Sequence, residues 1–253
     1  MILCSVIIPA YNCATQLPQC LQSVWQQNID DIEIIVIDDA STDETPKIME
    51  QFADRIRYFR LPTNRGPSYA RNYGIEKAQG RFIALLDADD CWFPDKLARQ
   101  LAIAEREPDS VIYTPAYWQA DRQPVRSFRE MAEGRVLLPL LVKNFISTPT
   151  VLASRKILLA AGGFPEDLRY AEDYFLWLKL AIKYPFHLVP QTGVWVGRRP
   201  TGLSADRKKL LAGHIMALQQ IEPLLPAVYR PWCRANRWLR SLQLITLGEE
   251  ENK

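Results

Sequence analysis

The sequence predicts an α/β fold in which helices flank a mostly parallel sheet, followed by a smaller, less regular region and a helical C-terminal extension. Short β-branched runs alternate with helical segments through the first half, a rhythm that builds parallel sheets. The 253 residues, 48% hydrophobic and 24% charged, are ordinary for a globular protein. Gly66 and Pro67 mark a helix start, because proline needs no N–H donor in the first turn.

The first half contains the more regular pattern. Ala70, Gly74 and Ala78 recur every fourth residue, so their helix is expected to lie close to the sheet. In chain order, the predicted elements are a strand at 5–8, a helix at 15–27, a strand at 33–37, a helix near Asp43, a strand at 56–61, the helix from Pro67, and strands at 81–86 and 111–117.

The second half has weaker periodicity. It is predicted to contain helices at 135–143, 155–161 and 171–184, strands at 186–189 and 193–196, and helices at 205–222 and 227–245.

Charge and cysteine content exclude several classes of protein. The formal net charge of +2 is too small for nucleic-acid binding across the whole surface. Five cysteines without a CxxC pair argue against a disulfide framework or a zinc site and for a reducing compartment. Residues 1–9 do not resemble a signal peptide, and no apolar run has the length of a membrane span. A cytoplasmic protein is therefore expected.

Carboxylates follow two of the predicted strands. Asp87 and Asp89 are hard oxygen ligands, which suit Mg²⁺ or Mn²⁺, and alternation along an extended chain would point them to one side. Asp38 and Asp39 can accept hydrogen bonds from a nucleoside. The carboxyl ends of parallel strands meet at one edge of a sheet, where ligands bind. Both pairs are also explained as solvated turns that cap the next helix, and for Asp87 and Asp89 taken alone this is the favoured interpretation.

Arg71 lies just over one turn into the helix opened by Pro67. A helix N-terminus favours anions, so Arg71 is a candidate diphosphate contact. The alternatives are a surface arginine or a salt bridge to the aspartate cluster.

Several short blocks of sequence follow one another along the chain: SVIIPAYN at 5–12, IDDASTD at 37–43, NRGPSYARNYG at 64–74, LLDADD at 85–90, GGF at 162–164 and AEDYFLW at 171–177. In order and spacing, over roughly residues 3–204, these blocks resemble family 2 glycosyltransferases. The resemblance implies a GT-A fold and inversion at the anomeric carbon. It divides the chain into a nucleotide-sugar-binding half at 1–118, an acceptor-binding and catalytic-base half at 119–204, and a helical extension at 205–253.

The resemblance also implies roles for single residues. It places Pro9, Ala10 and Tyr11 along the nucleoside, Asp39 at the base with Asp38 as a helper, Arg71 near the diphosphate, Asp87 at the ribose and metal region, Asp89 as the metal ligand, and Asp173 as general base beside Glu172.

The helix at 171–184 gives separate support for Asp173. On a regular helix Asp173 shares a face with Trp177 and Leu180, whereas Glu172 shares one with Lys179. Asp173 is therefore expected to face packed structure and Glu172 to lean toward solvent. A place in the first turn is expected to favour the ionised carboxylate. Without the other blocks, both acids would be explained as offsetting the helix dipole.

One segment departs from the family pattern. Relatives often carry a histidine before the final serine, but residues 196–204 contain none. We hypothesise that Arg198 or Arg199 contacts the diphosphate instead; the alternative is a basic surface loop.

Together these features predict a metal-dependent inverting hexosyltransferase, using Mn²⁺ or Mg²⁺, in polysaccharide, lipopolysaccharide or glycolipid assembly. The expected donor is a nucleotide diphosphate-sugar, with UDP as default base, and the expected acceptor is a carbohydrate or lipid-linked hydroxyl. A nucleotidyltransferase is disfavoured because neither GxGxxG nor a P-loop follows any strand. A non-catalytic nucleotide-sugar-binding module of the same fold is the alternative.

The C-terminal extension interleaves aromatic and basic residues, among them Trp232, Arg234 and Trp238. Such a segment can contact the anionic inner face of a membrane, or can pack back on the domain through its tryptophans. The second interpretation is slightly favoured.

Overall fold

A computed structural model describes residues 2–125, 130–197 and 206–250, with the side chains of 248–250 left out. In these residues the strands are β1 (Cys4–Ala10), β2 (Ile32–Asp38), β3 (Arg57–Arg60), β4 (Phe82–Leu85), β5 (Cys91–Trp92), β6 (Val111–Tyr113), β7 (Ala116–Trp118), β8 (Leu152–Ser154), β9 (Phe186–Leu188) and β10 (Val194–Val196).

Helices connect and cover these strands. They are α1 (Leu17–Trp25), α2 (Thr45–Glu50), α3 (Pro67–Lys77), α4 (Lys96–Ala104), α5 (Leu137–Val142), α6 (Arg155–Ala160), α7 (Glu172–Ala181), α8 (Arg207–Ile221) and α9 (Arg230–Glu250). None of the helices described is long and apolar enough to cross a membrane.

The main sheet of the described chain has seven strands in the order β3-β2-β1-β4-β8-β6-β9. β1 pairs in parallel with β2 and β4, β2 with β3, and β6 with β9, while β8 runs antiparallel to both of its neighbours. A smaller sheet has the order β5-β10-β7. The mostly parallel α/β fold predicted from the sequence is therefore confirmed.

The main sheet is buried on both faces, which explains the continuous apolar runs of its strands. Along β1, Ile7 packs into one core cluster, whereas Val6 and Ile8 pack into the other. On the Ile7 face, a Cβ added at Gly74 would lie 2.6 Å from Ile7 Cγ2. The small face predicted for α3 thus lets that helix sit directly against the sheet.

One predicted strand is two strands in the structure. The run 111–117 divides into β6, in the main sheet, and β7, in the small sheet. Pro115 lies between them and lacks the N–H that a continuous ladder needs, so the chain leaves one sheet for the other there. β7 pairs with β10, which brings Gly197, just after β10, to the turn that follows β4.

Candidate active site

The loops after β1, β2 and β4 lie together at one edge of the main sheet. Ala10 pairs with Asp38, and Ile7 pairs with Leu85, so β1 and β2 end level with each other and β4 ends three residues earlier at the same edge. The first two loops also bind each other, since the Asn12 N–H donates to Ser41 Oγ at 3.0 Å. This is the edge at which the sequence places the site.

The end of β1 offers an aromatic side chain at this edge. Pro9 is half-buried and Ala10 is buried within the strand, whereas Tyr11 is 46% exposed just beyond it. An exposed ring beside a crevice can lie against a planar base. The contact of these three residues with a nucleoside stays a prediction.

Asp38 is buried, and three neighbouring groups contact its carboxylate. Its Oδ1 accepts the Ser41 N–H at 2.8 Å, and its Oδ2 accepts the Tyr58 hydroxyl at 2.6 Å. Arg60 Nε lies 3.6 Å from Oδ2. Asp38 therefore holds the loop after β2 to β3, in line with the turn interpretation of this residue.

Asp39 is also buried, and it fixes the start of α3. Its two carboxylate oxygens accept the N–H groups of Arg65 and Gly66, each at 2.7 Å. Gly66 adopts a left-handed φ of 87°, which suits glycine. Burial raises the pKa of Asp39 and outweighs these two hydrogen bonds. A carboxylate has about four acceptor positions, so Asp39 keeps capacity for a ligand.

Asp87 to Asp90 form a turn, because the Asp90 N–H donates to the Asp87 carbonyl at 3.0 Å. The extended conformation assumed from the sequence is therefore wrong. Exposure alternates nonetheless: Asp87 and Asp89 are half-buried, whereas Ala88 and Asp90 are buried. The two predicted metal ligands are thus the accessible acids of the turn.

Asp90 ties this turn to the end of β10. It accepts the Gly197 N–H at 2.9 Å, and a Cβ added at Gly197 would lie 2.5 Å from the Asp89 carbonyl oxygen. The backbone at Gly197 therefore lies directly against Asp89. Arg198 and Arg199 lie outside the described residues.

Arg71 is buried between the two halves of the site. Its Nη2 donates to Asp87 Oδ1 and its Nη1 to Glu172 Oε1, both at 2.8 Å. Burial alone would lower the pKa of Arg71, but the two carboxylates outweigh it and raise that pKa. Arg71 therefore forms a salt bridge to Asp87 of the aspartate cluster, which was one of the alternatives that the sequence left open. A diphosphate contact by Arg71 stays a prediction.

Glu172 points inward, contrary to the prediction that it leans toward solvent. It is buried against Arg71, whereas Asp173 is half-buried. The assignment of these two acids to faces of a regular helix is wrong because α7 begins at Glu172 itself. The residue before it, Ala171, has a left-handed conformation with φ 60°. Arg71 supplies the charge that makes burial of Glu172 tolerable.

Asp173 is held by two donors, the Tyr174 N–H at 2.6 Å and the Thr148 hydroxyl at 3.2 Å. Burial and the charge of Glu172 raise the pKa of Asp173 to about 7, against the opposing effects of Tyr174, Arg71 and Thr148. The expectation that the helix N-terminus would favour the ionised form gives the wrong direction. A carboxyl group that titrates near neutral pH suits a general base.

Thr148 is a site residue that the sequence analysis missed. It begins a 3₁₀ turn, Thr148–Thr150, which a buried network supports. Gln100 Nε2 donates to the Thr150 carbonyl at 2.8 Å, and Trp92 Nε1 donates to the Pro149 carbonyl at 3.0 Å. The Pro-containing sequence indicates a turn, but nothing in it points to Asp173.

Asn72 is a second missed residue, and it joins the GGF turn to α3. Its Oδ1 accepts the Phe164 N–H and its Nδ2 donates to the Phe164 carbonyl, each at 2.8 Å. Gly163, with φ 69°, leaves room for this approach, because a Cβ there would lie 2.4 Å from Asn72 Oδ1. Asn72 and Arg71 together join α3 to the GGF turn and to the start of α7.

Comparison with known proteins identifies the family of this chain. The family model described as Glycosyl transferase family 2 matches residues 5–157. The chain therefore belongs to glycosyltransferase family 2. It is 33% identical over 186 residues to the "Putative teichuronic acid biosynthesis glycosyltransferase TuaG" of Bacillus subtilis, covering 72% of this chain and 73% of that one.

Other relatives are longer than this chain. An "Uncharacterized glycosyltransferase" of Rickettsia bellii is 34% identical over 182 residues, which cover 70% of this chain. The match covers only 26% of that relative, so the chain spans about a quarter of its length.

Solved structures establish the GT-A fold. The mannosyltransferase PcManGT from Pyrobaculum calidifontis, in complex with GDP-Man and Mn²⁺, superposes with a TM-score of 0.77 and 21% identity, covering 97% of this chain and 73% of that one. TarS 1-349 of S. aureus, in complex with UDP-GlcNAc, gives 0.75 and 21%, covering 95% and 73%. At these identities the likeness shows the fold alone.

Proposed function

We propose that this chain transfers a sugar from a nucleotide diphosphate-sugar to an acceptor hydroxyl, with inversion at the anomeric carbon. The observation that carries this proposal is the placement of Asp173, a half-buried carboxyl group with a pKa raised to about 7. Glu172 beside it is linked through Arg71 to Asp87 on the strand-end edge. This linkage supports the assignment of Asp173 as a base beside the expected leaving-group site.

The proposed chemistry is a single displacement. The Asp173 carboxylate accepts the proton of the acceptor hydroxyl, while the oxygen of that hydroxyl forms a bond to the anomeric carbon. The bond from that carbon to the diphosphate oxygen breaks, and its electron pair leaves with the nucleotide diphosphate. Thr148 and the Tyr174 N–H hold the carboxylate in one orientation during this transfer.

The residues present fit a divalent cation. No group of three or more potential ligands occurs among the described residues, so a metal centre made of protein ligands alone is not seen there. Mg²⁺ is commonly held by one or two carboxylates together with substrate phosphates, and Asp87 and Asp89 supply accessible carboxylates. When bound, the cation would offset charge on the diphosphate. The Mn²⁺ in the PcManGT complex supports this assignment.

The donor base is proposed to lie against Tyr11 and near Asp39, with UDP as the default. UDP-GlcNAc in the TarS complex supports a uridine nucleotide, and GDP-Man in the PcManGT complex keeps guanosine open. Contact of Arg198 or Arg199 with the diphosphate is supported by Gly197, which lies against Asp89. Unchanged donor affinity in both Arg198→Ala and Arg199→Ala would refute that contact.

The acceptor is proposed to belong to cell-envelope polysaccharide assembly. The name of the Bacillus subtilis relative, a putative teichuronic acid biosynthesis glycosyltransferase, supports this class. The acceptor would approach Asp173 between the Thr148–Thr150 turn and α7.

The stereochemistry of slow transfer to water tests the reaction without a known acceptor. Wild-type protein would be incubated with UDP- and GDP-sugars, and the first-formed anomer observed by NMR. Inversion that is lost in Asp173→Asn supports the proposal. Retained configuration, or turnover that is insensitive to Asp173→Asn, contradicts it. Donor binding without any turnover, with acceptor fractions also present, favours the non-catalytic module.

A further inference from the structure

The tryptophans of helix α9 are exposed, at 55% for Trp232 and 62% for Trp238. The interpretation favoured from the sequence, that they pack back on the domain, is therefore wrong, and contact of this helix with a membrane stays a prediction. Cys233 and Asn236 hold α9 on the domain instead. The opposite arrangement occurs at Lys96, whose charged side chain lies inside the core.

Lys96 is the first residue of α4, and it is fully buried. Burial lowers the pKa of its amino group to about 7, although the nearby Cys4 side chain opposes this effect. An apolar side chain of similar length, such as methionine, would fill the same space without a desolvation cost. The contacts of the amino group must therefore account for a lysine at this position.

The amino group of Lys96 contacts two side chains. Its Nζ donates to Gln100 Oε1 at 2.8 Å and lies 4.0 Å from the centroid of the Trp92 ring. A cation is attracted to the face of an indole ring, and an amine can still donate to the amide oxygen after it loses a proton. Lys96 therefore connects Gln100 to Trp92 inside the core.

Gln100 and Trp92 in turn hold the Thr148–Thr150 turn. Gln100 Nε2 donates to the Thr150 carbonyl at 2.8 Å, and Trp92 Nε1 donates to the Pro149 carbonyl at 3.0 Å. Both side chains that contact the lysine thus bind the backbone of this turn.

We propose that Lys96 is a positioning residue for the transfer reaction, because the turn it supports carries the Thr148 hydroxyl that donates to Asp173 Oδ2 at 3.2 Å. Without the lysine, the Gln100 amide oxygen would lose its donor inside the core, and rotation of the amide to find another would release the Thr150 carbonyl. The inference rests on the proposed role of Asp173 as general base. Lys96 acts on that base through Thr148.

A double-mutant cycle of Lys96→Met and Thr148→Val tests this route, with water as acceptor and the UDP- or GDP-sugar that wild type hydrolyses as donor. Lys96→Met should lower kcat about fivefold and change the KM of the donor by less than about twofold, because the base loses orientation while the donor site is intact. In the Thr148→Val background, the same change should alter kcat by less than about twofold. The full loss in that background as well overturns the proposal, since Lys96 would then not act through Thr148.

The carboxyl ¹³C resonance of Asp173, followed against pH, tests the same route without turnover. The Thr148 hydroxyl opposes the raised pKa of Asp173, so Lys96→Met should raise that pKa above about 7 and should not shift it further in Thr148→Val. Glu172 and Arg71, the charged groups that act on Asp173, are the same in every variant. An unmoved pKa in Lys96→Met overturns the proposal. The expected shift in protein that transfers no sugar would support the positioning contact and refute the proposed reaction.

Gln27→Leu is the matched control for damage to the start of α4. Gln27 is a buried amide that accepts the Leu97 N–H and donates to the Phe93 carbonyl, each at 2.9 Å, so it supports the same end of the helix through other groups. It should leave kcat and the pKa of Asp173 unchanged, and circular dichroism should show that each variant is folded. Equal effects of Gln27→Leu and Lys96→Met would mean that Lys96 has a structural role only.

Gln100→Leu gives a second form of the same test. It removes both the acceptor of Lys96 and the donor to the Thr150 carbonyl, so it should lower kcat about fivefold alone and less than about twofold in Thr148→Val. Additive losses in that cycle overturn the proposal even if Lys96→Met does not fold.

Discussion

Asp38 and Asp39 follow β2 in the same way that Asp87 and Asp89 follow β4, yet the structure uses the two pairs differently. The first pair is buried, and it accepts hydrogen bonds from backbone N–H groups of the neighbouring loops. The second pair lies in a turn where both carboxylates are half-buried and accessible. Asp38 thus serves structure, and Asp39 combines a structural role with the proposed contact to the base, whereas Asp87 and Asp89, we propose, serve ligand binding.

The difference arises from the segments that follow each strand. After β2, the chain must turn toward α2 while the start of α3 approaches, so N–H donors surround Asp38 and Asp39. After β4, the buried Asp90 fixes the turn by accepting the Gly197 N–H. Asp90 therefore carries the structural role there, which leaves Asp87 and Asp89 at the surface of the crevice.

The largest effect is expected at Asp173, whose ionised carboxylate is destabilised by burial but is needed for the proposed proton transfer. Asp173→Asn should lower turnover about a thousandfold, because the proton acceptor is lost. It should also make the protein more stable at pH 8 than wild type. The raised pKa of Asp173 means that its contribution to stability is present at acidic pH and lost as pH rises through about 7. Denaturant unfolding would compare Asp173→Asn with wild type at pH 5 and at pH 8. The same difference in the free energy of unfolding at both pH values would contradict this expectation.

Asp38→Asn should destabilise the fold, in contrast to Asp173→Asn at pH 8. The amide cannot replace both accepted hydrogen bonds, so we expect a loss of about 2 kcal/mol in the free energy of unfolding. The matched change Asp89→Asn should alter that free energy by less than about 0.5 kcal/mol. Urea titration of both variants checks the contrast, and equal destabilisation would break it.

Thr148→Val should lower kcat about tenfold, because Asp173 loses an orienting hydrogen bond. The hydroxyl also opposes the raised pKa of Asp173. The acidic limb of the kcat/KM profile, expected near pH 7 in wild type, should therefore move to higher pH in Thr148→Val. Thr148→Ser keeps the donor and should restore both values. A lower kcat with an unmoved limb would indicate a structural role only.

Ala171→Gly should have the smallest effect, a gain of about 0.5 kcal/mol in stability. Removal of the Cβ relieves the left-handed conformation with φ 60°, and the added freedom of the unfolded chain offsets part of that gain. Ala102→Gly, an exposed helical control in α4, should instead lose about 1 kcal/mol. Thermal unfolding that shows a loss in both variants would mean that Ala171 is not strained.

The sequence predicts the regular part of the molecule well because its signals there are local. Apolar runs and the Gly66-Pro67 helix start determine the order of strands and helices through the first half. The single strand expected at 111–117 fails at Pro115, where a choice between two sheets depends on tertiary pairing.

The sequence predicts less about how the acids of the site are arranged. The burial of Glu172 depends on Arg71, which is 101 residues away in the chain. The contact of Thr148 with Asp173 depends on a network that runs through Gln100 and Trp92. No local periodicity encodes such contacts, so the inward direction of Glu172 and the role of Thr148 emerge only in three dimensions.

The binding of nucleotides with and without Mn²⁺ tests most directly whether Asp87 and Asp89 form the donor site. Calorimetric titrations would use UDP, GDP and dTDP with wild type, Asp89→Ala and the folded Asp38→Asn variant. We predict metal-dependent binding of one nucleotide that is lost in Asp89→Ala and kept in Asp38→Asn. No binding to any of the three by folded wild type, or equal binding by Asp89→Ala, would contradict the account.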